Sequence, residues 1–412
     1  MTLLKAFKAK IAWRAVAPSV LIVLNSFVWY IFTSTTFSTI VTDLSVSDAE
    51  KMALFVTYYI AVAITAIVGA KFFPRLRTKA LLAWSGIGAL ATLSLLTMSS
   101  SSILIALMIT FFLGTSIGIG LPSCLSYFAD SAAIEHRGIV SGIIWSIVGF
   151  AVLIFAVVQN MLELSEIEML LVLTAWRVFG MAGFFLSNRK NEVETTQKEA
   201  ITKAPPYLEL IRKREILLYL FPWVMFCLLN FAEAPIVESI LGTDFAFVLL
   251  AEWGVVGIVA VIGGFIADIA GRKRIVIAGF VMLGIEYAAL SAFSDSPVTF
   301  FLFLILDGIS WGLLASTFFT TIWGDLGEKQ EKEKYYVLGG LPYLLANFLY
   351  IIIAPVASGI PPEAAFSFAS FFLFLAVLPL MYAPETLPEK TIKDREIKTY
   401  LEKAQQEAQK YS

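Results

Sequence analysis

The sequence is poor in charged residues, in histidine and in cysteine. Only 15% of its 412 residues are charged, and it contains one histidine and two cysteines. So little charge excludes an ordinary soluble domain, in which about 25% of residues are charged. The scarcity of histidine and cysteine leaves no metal-spaced cluster, and neither a phosphate-binding loop nor a nucleophile elbow is present. We therefore expect no enzyme, no cofactor, no metal site and no nucleic-acid partner.

The few cysteines and the single histidine occupy ordinary positions. Cys124 and Cys227 lie within long apolar runs, where we interpret them as small packing side chains rather than as a disulfide or a metal site. His136 adjoins Arg137 in a short polar connection. We therefore assign it neither a proton relay nor a ligand role.

Apolar sequence is what the chain has in abundance. Hydrophobic residues make up 58% of it and aromatic residues 14%, and the mean hydropathy is +0.82. Runs of about 20 apolar residues, long enough to cross a membrane as a helix, recur about 12 times. We predict an all-α integral membrane protein with twelve transmembrane helices in two pseudo-symmetric six-helix bundles. The predicted spans are 14–37, 51–73, 78–98, 102–129, 138–161, 167–187, 215–239, 246–267, 273–294, 297–323, 335–358 and 362–383.

Charges are distributed unequally between the two sets of loops. An excess of Lys and Arg in short loops marks the cytoplasmic side. We therefore expect a multi-pass cell-membrane protein with both termini and the longest loop in the cytoplasm. The first run exceeds signal-peptide length and lacks a cleavage site, so it should remain as the first span. The basic set is Lys5, Lys8, Lys10, Lys71, Arg75, Arg77, Lys79, Arg189, Lys190 and Arg272 to Arg274; the acidic set is Asp43, Asp48, Glu50, Glu163, Glu166, Glu168, Asp244, Asp295 and Glu363, with Lys51 as its one cation.

The two halves of the chain repeat each other. Three pairs share a separation of 195 residues: Gly69 with Gly264, Asp130 with Asp325, and Arg137 with Lys332. Equal separations indicate a duplicated six-helix unit, which is the layout of transporters whose halves rock about a midplane site. We divide the chain into a first bundle (1–187), a cytoplasmic linker (188–214), a second bundle (215–383) and a cytoplasmic tail (384–412). The linker piece `YLELIRKREI` suits either a short amphipathic helix or a solvated connection.

The stretch `GFIADIAGRKRIV` resembles the loop signature of the major facilitator superfamily: glycine, three residues, aspartate, two residues, glycine and paired cations. The matching residues are Gly264, Asp268, Gly271, Arg272 and Lys273. The first-half counterpart `GAKFFPRLRTKAL` keeps Gly69 and Arg77 but has Phe73 in place of the aspartate. The resemblance spans the whole chain. It implies a fold in which the first, fourth, seventh and tenth spans line a central cavity.

Two further motifs resemble sugar porters within that superfamily. `YFADSAAIEHRGIVSG` matches an acid, six residues and Arg-Gly through Asp130, Arg137 and Gly138, and `APETLPEK` matches a Pro-Glu-Thr signature that includes Glu385. The glutamine signature of the sugar porters' seventh span is missing. The sequence is therefore similar to the superfamily as a whole, and nearest in its loops to the sugar-porter and metabolite–proton symporter group.

Cations and carboxylates at these helix ends can form a gate. We expect them to pair in one conformation and to separate in another, and we expect Asp268 to face the positive N-terminus of a helix in the other half. Each partly exposed pair should contribute about 0–1 kcal/mol. The alternative is that the cations only set topology. The predicted gating residues are Arg77, Asp130, Arg137, Gly264, Asp268, Gly271, Arg272, Lys273, Asp325 and Glu385.

Carboxylates inside the predicted spans are candidate proton carriers, because an ionisable side chain within a membrane costs free energy. Asp307 lies about ten residues into the tenth span, near the midplane. Glu233 lies in the outer half of the seventh span. We predict that Asp307 is the proton-coupling carboxylate, with Glu233 as the alternative. The competing explanation is a fixed ion pair in which Arg177 is the partner.

Three other charged residues are weaker candidates. Glu286 and Arg177 lie in the ninth and sixth spans, which the resemblance makes peripheral, so a structural ion pair or a snorkelling contact explains them as well as transport does. We interpret Glu252, beside Trp253, as an interfacial residue near the outer end of the eighth span.

Amides and amphipathic rings on the predicted cavity helices suit hydroxylated or ring-bearing solutes. The alternative is that Trp and Tyr are interface anchors and that Asn joins helices. The predicted substrate-binding residues are Asn25, Trp29, Tyr30, Asn230, Trp311, Tyr343 and Asn347.

These features together predict a secondary active transporter. It should move a small solute, a sugar or another organic metabolite, by alternating access with proton symport, as a monomer in the lipid bilayer. One alternative is a proton-driven exporter of amphipathic compounds, although the fifth span lacks a glycine-proline antiporter motif. Another is a transporter-like sensor that signals through the tail from Lys390 to Ser412. A sensor would bind solute without moving it.

Overall fold

A computed structural model of the protein describes residues 11–189, 202–242, 245–294, 297–328 and 330–388. Several predicted features lie outside these residues or are described there without side chains. They are the basic residues Lys5, Lys8, Lys10, Arg189 and Lys190, the acidic residues Asp244 and Asp295, much of the linker and most of the tail.

The described residues form twelve long helices, which we number α1 to α12. They are α1 Trp13–Asp43, α2 Asp48–Phe72, α3 Arg77–Ser94, α4 Ile103–Gly118 with Leu121–Ser131, α5 Arg137–Met161, α6 Glu166–Arg189, α7 Arg214–Leu241, α8 Phe245–Ala270, α9 Arg272–Ala292, α10 Pro297–Leu314 continuing to Leu326, α11 Glu333–Ile353 and α12 Pro362–Tyr382. Each corresponds to one predicted span. The all-α prediction is therefore confirmed.

Two criteria, length and apolarity, identify helices that can cross a membrane. By those two criteria, eleven stretches of the described chain are long and apolar enough, and one of them, Asp48–Ser100, is 53 residues long. A crossing needs only about 20 residues. This stretch contains both α2 and α3, separated by a 3₁₀ turn at Phe73–Leu76 that holds a proline. The two helices therefore count as two crossings.

Successive helices run in opposite directions between two ends of the bundle. We call the end where α1 begins, α12 ends and residues 202–212 lie the linker face, and the other end the opposite face. At the opposite face α2 and α6 begin with the same local sequence, serine followed three residues later by glutamate. The Glu50 carboxylate accepts from the Ser47 backbone N–H at 2.9 Å, and Glu168 accepts from Ser165 at 2.9 Å. These reciprocal caps satisfy backbone donors that the first helical turn leaves free.

The two six-helix halves meet along α5 and α8 and along α2 and α11. Glycines let the α5 and α8 backbones touch. A Cβ at Gly142 would lie 2.3 Å from the Ala260 carbonyl oxygen, and a Cβ at Gly264 would lie 2.2 Å from the Gly138 carbonyl oxygen. Small residues are what permit such close helix packing inside a membrane. Gly264, predicted as a gating residue, therefore lies in the seam between the halves.

The outer surface of the bundle is apolar. On α2, Ile60, Ile64 and Ile67 recur at helical spacing and are 51%, 53% and 45% exposed. A soluble protein rarely exposes contiguous apolar surface of this kind. These side chains are therefore suited to contact with lipid.

Helix α10 changes its winding near its middle. Residues Ala315–Ile322 form a π-helix, and the Thr320 and Thr321 hydroxyls donate to carbonyl oxygens five residues earlier, at 2.9 and 2.8 Å. The Tyr336 hydroxyl donates to the Thr320 carbonyl oxygen at 2.7 Å. π-helical turns are rare and occur frequently at functional sites. This one lies directly beneath the cavity described below.

Candidate functional site

A cavity of about 480 Å³ lies between the two halves, on the side nearer the opposite face. It extends from Trp145 and Ala315 at its floor to Thr39 near the end of α1 and Phe245 at the start of α8. The volume falls in the range of small-molecule sites. Two carboxylate side chains, Glu252 and Asp307, line it, whereas its described lining contains no Lys, Arg or His.

The two cavity carboxyls form a pair. The Glu252 and Asp307 side chains hydrogen-bond each other, and they are only 6% and 5% exposed. Glu286 on α9 lies behind them; it is completely buried, and neither of its carboxyl oxygens has a hydrogen-bond partner. Burying carboxylates without cations is costly. The group therefore suits chemistry in which protons or cations come and go.

Asp307 lies about a third of the way along α10. It lies ten residues from the Pro297 end of α10 and nineteen from Leu326. At 1.5 Å per residue this places it about 7 Å from the middle of the helix, toward the opposite face. Glu252 lies seven residues into α8 from that same face, at a similar depth.

Five of the predicted substrate-binding residues reach the cavity. They are Tyr30, Asn230, Trp311, Tyr343 and Asn347. Trp311 and Tyr343 stand edge to face with their ring centroids 5.9 Å apart. The Asn347 amide donates to the Tyr59 hydroxyl at 3.1 Å, which links α11 to α2.

Asn25 and Trp29 differ from the prediction, because the structure does not place them at the cavity. The Asn25 amide donates to the Trp176 carbonyl oxygen at 2.6 Å, and Trp29 Nε1 donates to Thr92 Oγ1 at 2.8 Å. Both residues point toward α3 and α6 in the core of the first half. Helix α1 is apolar on several sides, so the sequence does not define which side faces the cavity.

The ion pair considered between Arg177 and an acid of the second half is also absent from the described contacts. Arg177 is completely buried in the first half, with its guanidinium 4.5 Å from the Trp29 ring and 4.3 Å from the Trp84 ring. It donates to Asn25 Oδ1 at 2.9 Å and to Ser26 Oγ at 2.7 Å. Arginine suits this site because its planar group stacks on aromatic faces.

The structure places Glu252 rather than Glu233 at the cavity, the reverse of what the sequence suggested. Glu252 was expected at the membrane interface, but it lines the cavity and pairs with Asp307. Glu233 is 5% exposed and does not belong to the cavity lining, although Asn230, Phe231 and Ala234 on the same helix do.

Aromatic side chains close the cavity on the side of the linker face. Phe27 of α1, Trp145 of α5 and Phe319 of α10 lie in mutual contact, with ring centroids 4.9 to 5.9 Å apart. Trp145 Nε1 also donates to Thr320 Oγ1 at 2.6 Å. This contact joins the first half to the π-helical segment of the second.

Beneath these rings, buried ion pairs join the two halves at the linker face. Asp325 at the end of α10 binds Arg137 of α5, and it also accepts from Arg272 Nε at 3.2 Å. All three side chains are nearly or completely buried. Arg137 reaches Glu328 at 3.1 Å, and Arg272 Nη2 donates to the Ile134 carbonyl oxygen at 2.6 Å.

The equivalent position in the first half carries a matching set. Asp130 binds Arg77 of its own half and accepts from Lys332 Nζ of the other half at 2.7 Å. Arg77 also contacts Glu333 at 2.6 Å. Arg77 and Arg272 share the separation of 195 residues that relates Asp130 to Asp325 and Arg137 to Lys332. The network therefore has pseudo-two-fold symmetry: each aspartate holds one cation from its own half and one from the other.

Asp268 caps a helix of the other half, as expected from the dipole argument. Its carboxylate accepts from the backbone N–H groups of Gly138 and Ile139 at 2.9 and 2.8 Å, in the first turn of α5. It also lies 2.6 Å from Arg272 Nη1. An anion at a helix N-terminus is stabilised by the helix dipole and by charge-assisted hydrogen bonds.

Three of the predicted gating residues act within the second half rather than across the seam. Glu385 accepts from the backbone N–H groups of Arg272 and Lys273, at 2.8 and 3.2 Å, and so caps α9. Gly271 precedes this helix with φ +100°, a conformation that L side chains rarely adopt, and a Cβ there would meet Glu385. Lys273 Nζ donates to the Ala383 carbonyl oxygen at 3.1 Å.

The end of the linker crosses the seam at the linker face. Lys334 Nζ donates to the Ala204 and Pro205 carbonyl oxygens at 3.0 and 2.8 Å, and the short helix Tyr207–Arg212 follows. Tyr207 packs beside α2 and α11, and burial raises its pKa to about 12. The helical interpretation of `YLELIR` thus matches the structure.

Sequence reasoning misassigned Glu252 and missed Glu328 and Glu333. Glu252 carried a usable signal, since it and Asp307 lie at similar distances from the same face. The other two lie in the charged run `GEKQEKEKY`, which is typical of a solvated loop. Only the docking of the halves brings Glu333 to Arg77.

Comparison with known proteins adds three findings. The family model described as Major Facilitator Superfamily matches residues 19–322. Among solved structures, the chain is similar to a bacterial homologue of the iron transporter ferroportin in an outward-facing state, with a TM-score of 0.63 and 12% identity over 89% of this chain and 96% of that chain. At this identity the likeness concerns the fold. No curated protein matches the sequence.

Proposed function

Because the chain belongs to the Major Facilitator Superfamily, as a match over residues 19–322 shows, we propose that it is a proton-coupled secondary active transporter. It moves a small organic solute across the cell membrane by alternating access. The observation that carries this proposal is the asymmetry of the seam between the halves. A cavity lies on the side of the opposite face, while rings and buried ion pairs close the linker face.

The distribution of charge orients this arrangement. Described residues at the linker face include Lys71, Arg75, Lys79 and Arg274, whereas Asp48 and Glu50 lie where α2 begins at the opposite face. By the positive-inside rule the linker face is cytoplasmic. The described conformation is then the outward-facing one, the state in which the ferroportin homologue was crystallised.

A specific set of bonds between the two halves forms the proposed gate. Opening the cytoplasmic side requires Arg137 to leave Asp325, Lys332 to leave Asp130 and Asp268 to leave the start of α5. Exposed pairs contribute little, but breaking a buried pair costs about 3–5 kcal/mol when one partner is removed. The buried Asp325 cluster therefore dominates the closed state.

We assign proton coupling to the carboxylate of Asp307. It lines the outward cavity, it is buried, and its Oδ1 has no hydrogen-bond partner. Glu233, the alternative, is equally buried but lies outside the cavity lining. A carboxyl that water reaches from one side at a time can carry a proton in each cycle.

The loop motifs shared with sugar porters lie at the gate, not at the cavity. Asp130, Arg137 and Glu385 all belong to the cytoplasmic network or to the helix beside it. The resemblance therefore supports the mechanism of closure but does not identify the transported solute. The aromatic cavity walls suit an exporter of amphipathic compounds as well as an importer.

A screen of solute uptake in proteoliposomes with an imposed pH gradient tests the proposal. The wild-type chain should concentrate at least one solute. Asp307→Asn mimics the protonated carboxyl, so it should abolish gradient-driven accumulation while counterflow exchange remains. Glu233→Gln, at an equally buried position outside the cavity, is the matched control and should still concentrate solute. Uphill accumulation by Asp307→Asn would refute the assignment, and loss in the control alone would move the role to Glu233.

A further inference from the structure

The second half concentrates negative charge around the cavity. Glu252 and Asp307 line it, Glu286 lies behind them, and Glu233 completes a group of four buried carboxyls around Tyr287. None of the ion pairs between described residues includes any of the four. Uncompensated carboxylates in a low-dielectric interior are costly. Protons or a bound cation must therefore neutralise them.

Several carboxyl oxygens of this group have no hydrogen-bond partner, and among them Asp307 Oδ1 belongs to a side chain that lines the cavity. Asp307 is 5% exposed, it lines the cavity, and its Oδ1 has no hydrogen-bond partner. The Asp307 carboxyl is also hydrogen-bonded to the Glu252 carboxyl. A buried carboxyl oxygen without a donor is unusual, because buried polar atoms nearly always find partners. A cationic centre in the cavity would give this oxygen an electrostatic partner.

The walls around the pair are aromatic. Tyr343 stands edge to face with Trp311 and with Phe231, with ring centroids 5.9 and 5.5 Å apart. Trp253, next to Glu252, and Tyr287 also line the cavity. Ring faces attract cations, and their apolar area holds a hydrocarbon body. Among the described residues, no group of three or more His, Cys, Asp or Glu is arranged to hold a metal ion.

We infer that the cavity binds amphipathic organic cations and that the Glu252–Asp307 pair receives their cationic centre in place of a proton. This inference rests on the proposed function and narrows its substrate class. A divalent metal ion prefers six or more oxygen ligands. The pair provides two carboxyls within a largely aromatic surround, which fits a monovalent cation with a ring-bearing or branched body.

Sharing one site has a consequence for coupling. When the cation binds, a carboxyl O–H bond breaks, the proton passes to the water in the cavity, and the carboxylate pairs with the cation. No electrons are transferred, and the net charge of the site is unchanged. Proton and cation exclude each other at the pair. The coupling is then exchange of cation for proton rather than the symport that the loop motifs suggest.

Calorimetry on the purified full chain in lipid nanodiscs tests the inference. The probe is benzyltrimethylammonium, and its uncharged carbon analogue neopentylbenzene is the matched ligand. Titration in two buffers of different ionisation enthalpy counts the protons released. We expect at least tenfold tighter binding of the cation, release of about one proton, and tighter binding at higher pH, by at most about tenfold per pH unit for one exchanged proton.

Variants separate a binding role from a structural one. Glu252→Gln should weaken cation binding at least tenfold, and Glu252→Asp should retain part of that binding. The double variant Glu252→Gln/Asp307→Asn should abolish proton release. Glu238→Gln is the control, because Glu238 is bonded to Tyr350 near the cavity and is not part of its lining. It should leave both quantities unchanged. Glu286 and Glu233 remain in all variants, so a pH dependence that survives the double variant Glu252→Gln/Asp307→Asn would assign the proton to them and overturn the inference.

Other outcomes also decide the question. Equal binding of neopentylbenzene, or displacement of the cation by Mn²⁺ at lower concentration than by a second organic cation, would overturn the substrate class. A chain that accumulates a neutral solute on a pH gradient without binding the cation would overturn this inference and leave the transport proposal standing. A chain that binds the cation with proton release but moves no solute would do the reverse.

Discussion

Neutralising Asp325 should shift the protein toward its inward-open conformation far more than neutralising the symmetry-related Asp130. In the structure the Asp325 side chain is completely buried between Arg137 and Arg272, whereas the Asp130 side chain is 18% exposed. In the proposed mechanism, opening the linker face hydrates both clusters. Loss of a carboxylate therefore destabilises mainly the closed state. The destabilisation is largest where no water can replace the carboxylate.

The magnitude follows from what each variant leaves unpaired. Removing one partner of a buried ion pair costs about 3–5 kcal/mol. In Asp325→Asn the two arginines keep Glu328 and Asp268, at 3.1 and 2.6 Å, so we take the lower end. About 3 kcal/mol corresponds to a shift of roughly a hundredfold or more in the conformational equilibrium. For Asp130→Asn the partly exposed pairs predict about 1 kcal/mol, or about fivefold.

Distance measurements between spin labels provide the assay. Lys79 and Arg274 are exposed, lie at the starts of α3 and α9, and share the separation of 195 residues, so labelled cysteines there span the gate symmetrically. The native Cys124 and Cys227 are buried and should resist labelling. The long-distance population should grow strongly in Asp325→Asn and slightly in Asp130→Asn. Equal shifts, or a larger shift in Asp130→Asn, would refute the argument from burial.

Two further substitutions test the packing on which the mechanism depends. Gly142→Ala would place a Cβ 2.3 Å from the Ala260 carbonyl oxygen, so it should separate α5 from α8, cost about 1–3 kcal/mol as overpacking and lower the thermal unfolding midpoint. The control Gly340→Ala, where a Cβ meets nothing within 4 Å, should not lower the midpoint. Equal midpoints for the two variants would contradict the close contact. Arg177→Lys should destabilise the protein more than Arg177→Met, since an ammonium cannot stack between two tryptophan rings and is costlier to dehydrate. If the Lys variant has the higher thermal unfolding midpoint, charge rather than stacking stabilises the protein at this position.

The helices could be predicted from sequence because their cause is local. A run of apolar residues that spans the membrane must be helical, so the predicted span 215–239 and the observed Arg214–Leu241 differ by only a few residues. The residues that form ion pairs at the linker face were predictable for a related reason. Duplication places equivalent charges at equal separations, so the spacing of residues alone relates Asp130 to Asp325.

Side-chain direction could not be predicted in the same way. Tyr30 faces the cavity, while Asn25 and Trp29 on the same helix face the core of the first half. Where a helix is apolar on several sides, periodicity does not define its rotation. Glu252 shows the complementary difficulty: position along a helix suggested the interface, but packing against α10 buries it. Both properties arise from tertiary contacts.

The π-helical stretch of α10, Ala315–Ile322, gives that helix a torsional degree of freedom. A π turn closes with an i→i+5 bond and so holds one residue more than an α turn. If one such turn returned to α-helical winding, the segment toward the opposite face would rotate by about 100° relative to the segment below it. Trp145 and Tyr336 bind Thr320 and hold the lower segment. The angular position of Asp307 is thereby linked to the hydrogen-bond register beneath the cavity, and a change of winding there would turn the carboxyl away from its present neighbours.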